Sequence, residues 1–172
     1  MRLYDMLGKK SPNAILKLFM ERPSGEFRMK EIEKMTKLAK LSVLKWTKDL
    51  GKNGILSKKN MGRSGIYSLN NSNPSAKLLK IFYNVDYISS KISTISAEGG
   101  VFLFGSFARG DNTENSDIDL LAVGKNRDVI KKLKSMDSRI KVSFFTPIEW
   151  SMAARKDKAF FDNVEKDKIR LI

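Results

Sequence analysis

Two aspartates near the middle of the chain carry the clearest chemical signal in the sequence. Asp117 and Asp119 open a stretch that alternates polar and apolar side chains and then runs apolar to Val123, as a β-strand does. Residues two apart on a strand share a face, so we expect both carboxylates to point the same way. Two carboxylates held this close repel each other unless a cation lies between them. The pattern therefore indicates a divalent metal ion.

A glycine and a serine precede this pair, with ten residues between Ser106 and Asp117. Four apolar residues at 101–104 predict a buried strand, and Gly105 follows where the chain must turn sharply. Ser106 stands at the expected start of a helix, whose first amides lack partners and favour a phosphate. The two segments together predict a phosphate-binding turn beside a metal-binding carboxylate pair.

The composition limits the chemistry that such a site can use. The 172 residues include no cysteine and no histidine, which excludes disulfides, thiol catalysis, Cys-type zinc sites and histidine acid–base chemistry. Any metal must be held by oxygen, which favours Mg²⁺ or Mn²⁺. No apolar run approaches the length that spans a membrane, and no secretory signal opens the chain. We therefore expect a cytoplasmic protein without a membrane partner.

Positive charge is concentrated in the first half of the chain. Residues 1–74 hold 16 Lys and Arg against 6 Asp and Glu, whereas residues 75–172 hold 17 against 13. The first half thus carries +10 of the formal net charge of +14, which predicts an anionic partner there. The Asn- and Ser-rich run at 70–74 is a break in composition, and we place the boundary between domains 1–73 and 74–172 in it.

The N-terminal half alternates short helical and strand patterns. Helical periodicity predicts helices over about 11–21, 30–35 and 41–50, the first opened by Ser11 as cap and Pro12. Short apolar runs predict strands at 27–28, 55–58 and 65–69, and a basic, glycine-containing tip joins the last two. This order, and the segment from Leu44 to Asn70 in particular, resembles a winged helix-turn-helix domain.

That resemblance implies binding to double-stranded DNA, with the third helix in the major groove and the wing on the adjacent backbone. The implied contacts lie on the third helix and the wing: Lys40, Ser42, Lys45, Thr47, Lys48, Lys58, Lys59, Asn60 and Arg63. Lysines in these places would bind phosphate and supply salt-dependent affinity rather than sequence choice. The alternative is a solvated lysine face on a protein-binding domain. We expect Trp46 to be a core residue.

The C-terminal half predicts the elements that must position the carboxylates. A helix is predicted over 74–95, and Leu78, Leu79, Phe82, Val85 and Ile88 form its apolar stripe. It packs across the sheet of its own domain or forms the seam of a homodimer. A helix over 126–136, a third strand over 141–146 and two C-terminal helices complete the pattern. We therefore expect an α/β (α+β) two-domain chain, in which a winged helix-turn-helix precedes a small mixed sheet flanked by helices.

Gly105-Ser106 and Asp117-Ile118-Asp119, at this spacing, resemble the signature of nucleotidyltransferases of the DNA polymerase beta superfamily. Arg109-Gly110 and Ser116 are similar to its small, minimal branch. The resemblance implies transfer of a nucleoside monophosphate from a nucleoside triphosphate, with ATP expected, to a hydroxyl acceptor. It implies Mg (or Mn) on Asp117 and Asp119, phosphate binding by Gly105, Ser106 and Arg109, and catalysis by Asp117, Asp119 and Ser106. An ion pair between Arg109 and an acid such as Asp111 is the alternative for the arginine.

The third strand departs from the family pattern. Active members of the superfamily carry a third carboxylate there, and in this chain the position is Ser143, while Asp137 and Glu149 lie outside the strand. One hypothesis is that two carboxylates and the triphosphate suffice for slow transfer. A second is a DNA-binding transcriptional regulator that binds nucleotide without turnover. A third is an antitoxin or interaction module, because minimal members pair with a small helical partner protein.

Overall fold

The computed structural model describes residues 2–61, 64–95 and 97–172, and the chain divides into two compact units at residues 79 and 80. The elements of the first unit, in chain order, are α1 (Leu3–Leu7), α2 (Lys10–Glu21), β1 (Glu26–Arg28), α3 (Met29–Thr36), α4 (Lys40–Lys52), β2 (Leu56–Met61) and β3 (Ser64–Leu69). Helix α5 (Pro74–Ile92) begins in this unit and continues into the second.

A helical core and a small sheet make up the first unit. Helices α2, α3 and α4 contact one another through apolar side chains, among which Phe19, Ile32 and Leu50 are completely buried. Trp46 is buried in α4, as expected of a core residue. Strand β3 pairs antiparallel with both β1 and β2, so the sheet order is β1-β3-β2. The helix–strand–helix–helix–hairpin order is the one that the sequence predicted.

Apart from shifts of one or two residues at the ends of elements, three details of the first unit differ from the sequence prediction. Helix α1 was not predicted, since five residues are too few for a periodic pattern. Helix α2 begins at Lys10 with Lys9 as its N-cap, so Ser11 is not the cap and Pro12 lies within the first turn, where a missing amide costs no hydrogen bond. Strand β2 continues to Met61 because its pairing with β3 continues, so Lys59 and Asn60 belong to the strand and not to the tip.

The second unit is built on one mixed sheet, as predicted. Its elements after α5 are β4 (Gly100–Phe104), α6 (Gly105–Arg109), β5 (Ile118–Val123), α7 (Asp128–Met136), β6 (Ile140–Phe145), α8 (Pro147–Lys156), α9 (Lys158–Asp167) and β7 (Ile169–Arg170). The sheet order is β6-β5-β4-β7, in which β5 and β6 are parallel and the other pairs antiparallel. Strand β6 therefore lies at an edge.

Helices cover both faces of this sheet. On one face, Leu103, Leu120 and Ile140 pack with Ile88 of α5 and Leu133 of α7. The other face is aromatic, and its cluster comprises Phe102, Phe104, Leu121, Val123, Phe145, Trp150, Phe160 and Val164. Because side chains alternate along each strand, the second face is also the one to which Asp119 belongs.

The apolar stripe predicted on α5 is wrong in part. Leu78 is 66% exposed and Phe82 is 70% exposed, and the helix ends at Ile92 instead of residue 95. The buried positions recur every fourth residue and are Ala76, Lys80, Asn84, Ile88 and Ile92. Two of these are polar, and Asn84 is satisfied by hydrogen bonds from its amide nitrogen to the Phe107 carbonyl (2.9 Å) and to Asn112 Oδ1 (2.8 Å). Hydrophobic periodicity misses a buried face that uses polar groups.

A buried carboxylate joins α5 to the start of β6. The Tyr87 hydroxyl donates to Asp137 Oδ2 (2.8 Å), and Arg139 donates from Nη2 to Oδ2 (2.9 Å) and from Nε to Oδ1 (3.1 Å). The side chain of Asp137 is only 9% exposed. The Arg139 guanidinium, with the Tyr87 hydroxyl, holds the pKa of Asp137 well below its usual value. Asp137 is therefore a structural residue and is not available as the missing third acid.

Replacing Asp137 by Asn should lower the free energy of unfolding at pH 7 by about 1.5–3 kcal/mol, the range for hydrogen bonds to charged groups. Since the folded-state pKa is depressed, the stabilisation is complete above the usual value of 3.8, begins to fall below it, and is fully lost only when the pH passes the lower folded-state value. Urea unfolding at pH 7 and at pH 3 measures both effects. Asp86→Asn, on the exposed side of α5, should change stability by less than about 0.5 kcal/mol. If the difference in unfolding free energy between wild type and Asp137→Asn were the same at pH 7 and pH 3, the structural role of the Asp137 carboxylate would be contradicted.

Candidate active site

The turn between β4 and α6 brings the chain against Asp119. Phe104, the last residue of β4, pairs with Asp119 across the antiparallel ladder. Gly105 follows with a φ of +71°, and a Cβ at this position would lie 2.6 Å from Asp119 Oδ2. Glycine is thus required here twice, by the backbone conformation and by the carboxylate beside it. The predicted turn at Gly105 therefore lies directly against the predicted carboxylate of Asp119, as the sequence indicated.

The two aspartates occupy different surroundings. Strand β5 begins at Ile118, so Asp117 precedes the strand and is exposed, whereas Asp119 lies within it and is half-buried. The prediction that both aspartates belong to the strand is correct only for Asp119. Burial raises the pKa of Asp119 above its usual value, and the charge of Asp117 raises it further. The Asp119 carboxylate is therefore destabilised, and a cation at the pair would relieve that destabilisation.

The chemistry of these donors fits a magnesium or manganese ion. Mg²⁺ is commonly held by one or two carboxylates together with substrate phosphates and water. Within the described ranges, no three acidic side chains come together in a group that could hold a metal by themselves. The remaining ligands would have to come from the substrate and from water.

Loop contacts fix the segment between the turn and the aspartates. The Ser106 carbonyl accepts from the backbone N–H of Asp111 (2.8 Å), and the side chain of Ser106 is partly exposed beside the turn. The Thr113 N–H donates to Ser116 Oγ (2.9 Å), which closes the loop before Asp117. Asn84, which the sequence analysis did not single out, ties this loop and α6 to α5 through the hydrogen bonds described above.

Arg109 is held by two acids. Its Nη1 donates to Asp167 Oδ2 (2.6 Å) and its Nε donates to Asp111 Oδ2 (3.2 Å), while 39% of the side chain stays exposed. The pair with Asp111 is the alternative that the sequence raised, and Asp167 adds a partner from α9. The positive charge of Arg109 still lowers the pKa of Asp119.

Asp167 was missed by sequence reasoning. It lies 58 residues from Arg109, at the end of α9, and no local pattern connects the two. Its side chain is 12% exposed, and its Oδ1 is a buried atom without a hydrogen-bond partner. Asp167 therefore anchors Arg109 and with it the end of α6.

Lysine, not an acid, lies beside Asp119 on β6. In the parallel pair, Lys141 is opposite Asp119 and Ser143 is opposite Leu121, so all of these residues share one face of the sheet. Lys141 is exposed, and its charge also lowers the pKa of Asp119. Glu149 is the N3 residue of a capping box, where its carboxylate accepts from the Thr146 N–H (2.8 Å) and has a lowered pKa. Sequence alone predicted the strand but not this register.

Comparison with protein families decides the assignment of this region. A family model described as the nucleotidyltransferase domain matches residues 85–170, half of the chain. The chain belongs to this nucleotidyltransferase family. The matched segment contains the glycine turn, the carboxylate pair and β6, and nucleotidyl transfer is the general activity of the family. No curated protein matches the chain.

The residues predicted to contact DNA lie on two elements of the first unit. Lys40, Lys45 and Lys48 are exposed on α4, Ser42 is partly exposed there, and Lys58, Lys59 and Asn60 are exposed on β2. Thr47 is buried and its hydroxyl donates to the Val43 carbonyl (2.7 Å), so it is not available for a base or a phosphate. Arg63 lies outside the described residues.

Apolar side chains also share the exposed side of α4. Leu41 and Leu44 are both exposed. Among the described residues, no helix combines the length and apolar character needed to cross a bilayer.

Gly105→Ala should lower the free energy of unfolding by about 1–3 kcal/mol, because alanine is strained at this φ and its Cβ would press on Asp119. Gly51→Ala is the matched control. It lies within α4, where its Cβ would meet nothing nearer than 3.8 Å, and alanine should stabilise that helix by up to about 1 kcal/mol. Chemical denaturation of both variants measures the difference. Equal effects of the two substitutions would contradict the tight turn.

Proposed function

We propose that the chain is a metal-dependent nucleotidyltransferase that moves a nucleoside monophosphate from a nucleoside triphosphate, with ATP as the expected donor, to a hydroxyl group. The observation that carries the proposal is the half-buried Asp119 beside Asp117, held against the Gly105 turn in a domain of the nucleotidyltransferase family. Asp117 and Asp119 would hold Mg²⁺ or Mn²⁺, which supplies positive charge to the phosphates when bound.

The chain's own residues have separate tasks in this proposal. The Gly105 turn and the Ser106 hydroxyl would bind the outer phosphates through backbone amides and one side-chain donor. Lys141 and Arg109, the two cations that act on Asp119, would compensate charge that develops on the leaving pyrophosphate. The acceptor oxygen would attack the α-phosphorus as the bond to the β-phosphate oxygen breaks. The hydroxyl proton would pass to water, since β6 carries Ser143 and no carboxylate at the position of the third acid.

Calorimetric titration with ATP and with GTP, each with and without MgCl₂, tests the nucleotide site. Wild type should bind in the presence of magnesium, and Asp117→Asn/Asp119→Asn should weaken binding by at least about tenfold, since a contact to a charged group is worth roughly 1.5–3 kcal/mol. Asp86→Asn serves as the control for removing one negative charge elsewhere in the same unit. The proposal would be overturned if the wild type did not bind nucleotide, or if the double variant bound it with the same affinity as the wild type.

A second candidate function is favoured by the residues of β6. With lysine beside Asp119 and serine at the third position, the site would bind a nucleotide without an acid to activate the acceptor. The chain would then be a DNA-binding transcriptional regulator or antitoxin that senses nucleotide. Incubation with α-³²P-labelled ATP and a cell extract separates the two functions. Label transfer that Asp119→Asn abolishes selects the enzyme, whereas nucleotide-dependent DNA affinity without transfer selects the regulator.

We also propose that the first unit binds double-stranded DNA through α4 and β2. The support is the exposed row of lysines on these elements, the net charge of +10 in residues 1–74 and the helix and hairpin order of a winged helix-turn-helix. Lysine contacts of this kind neutralise phosphates and release counterions, so the affinity should fall steeply with salt.

Lys45→Ala should weaken binding to a duplex and reduce the slope of log K against log salt by about 0.9, the value expected for one phosphate contact. Fluorescence anisotropy with a labelled duplex at several salt concentrations measures both quantities. Lys17→Ala removes the same charge from α2, where Lys17 forms a 3.7 Å ion pair with Glu21, and should leave the slope unchanged. Identical slopes for wild type and Lys45→Ala would exclude α4 from the DNA contact.

A further inference from the structure

A cavity of about 420 Å³ lies beside the edge strand β6 in the second unit. Its lining includes Arg127, Ser143, Phe145, Glu149, Lys156 and Phe160. The volume falls in the range of small-molecule sites, which are mostly apolar with a few polar groups.

The strand register connects the cavity to the carboxylate pair. Lys141, Ser143 and Phe145 alternate along one face of β6, and Lys141 is opposite Asp119. Ser143 therefore lies one two-residue step, about 7 Å, beyond the position next to Asp119. In a nucleotide, the ribose separates the α-phosphorus from the base by a comparable distance. A molecule bound by its phosphates at Asp119 would reach the cavity by extending along β6 past Lys141 to Ser143, which lines it.

The chemistry of the walls fits a nucleoside. Phe145 and Phe160 stack with ring centroids 5.8 Å apart, and buried Ala153 completes an apolar wall against which a base can pack. The two acids of the lining are engaged as helix caps, since Glu149 accepts from the Thr146 N–H and Asp157 accepts from the Phe160 N–H (3.0 Å). Arg127 and Lys156 are exposed at the cavity and give it positive charge.

We propose that this cavity binds the base and ribose of the nucleotide whose phosphates lie at Asp117 and Asp119. Ser143, at the position of the third carboxylate, hydrogen-bonds a ribose hydroxyl through its side chain. This inference rests on the proposed nucleotide site, and it assigns to the cavity the preference of that site for a nucleoside over bare phosphates.

The test compares ATP with inorganic tripolyphosphate, which has the phosphates and lacks the nucleoside. Both are titrated calorimetrically into the full chain with MgCl₂. Ala153→Leu places a larger side chain in the apolar wall and should lower the affinity for ATP by about tenfold, in line with the roughly 1–3 kcal/mol of one stacked base. The affinity for tripolyphosphate should not change. Ala154→Leu, the next residue on α8, is exposed and outside the lining, so it should change neither ligand.

Ser143→Val provides a second variant in case the larger side chain at 153 prevents folding. Valine is well accommodated in a strand, and this substitution should lower the affinity for ATP several-fold without changing the affinity for tripolyphosphate. Unchanged ATP affinity in the folded variants would overturn the inference and leave the proposed function intact. An equal loss of affinity for ATP and for tripolyphosphate would also overturn it. So would a loss of nucleotidyl transfer with unchanged ATP affinity, because the cavity would then bind the acceptor. A wild type that binds neither ligand would refute the nucleotide site itself.

Discussion

The close approach of Gly105 to Asp119 is the contact on which the rest of the candidate site depends. It exists because β4 and β5 pair with Phe104 opposite Asp119, and because only glycine accepts both the left-handed backbone and a carboxylate at this distance. The turn starts α6, α6 carries Arg109, and Arg109 reaches Asp167 on α9. One backbone conformation thereby couples the sheet, the short helix and the C-terminal helix.

The charges around Asp119 indicate what kind of ligand this geometry can bind. Burial and Asp117 raise its pKa, while Arg109 and Lys141 lower it, so a negative pair is flanked by two positive side chains. Such an arrangement suits a ligand that carries both signs of charge, as a triphosphate with a divalent ion does. Among the described residues, the site lacks a third acid. Lys141 takes the position beside Asp119, and Asp137 and Glu149 are committed to a buried clamp and a helix cap.

Local patterns were sufficient to predict the turn, the carboxylates and most helices and strands, because spacing and periodicity are encoded by neighbours in sequence. The nucleotidyltransferase assignment rested on that spacing, and the family match confirms it. Long-range features could not be predicted in the same way. The register that sets Lys141 against Asp119, the bond from Arg109 to Asp167 and the buried Asn84 on α5 each depend on tertiary packing. DNA binding by the first unit stays a prediction.

The central claim is that Asp117 and Asp119 hold a divalent ion together with a triphosphate against the Gly105 turn. A crystal structure with Mn²⁺ and a non-hydrolysable ATP analogue, with data collected at the manganese absorption edge, tests it most directly. The account predicts an anomalous peak within coordination distance of both carboxylates and of phosphate oxygens. A nucleotide bound elsewhere in the chain, or a peak that contacts neither aspartate, would contradict it.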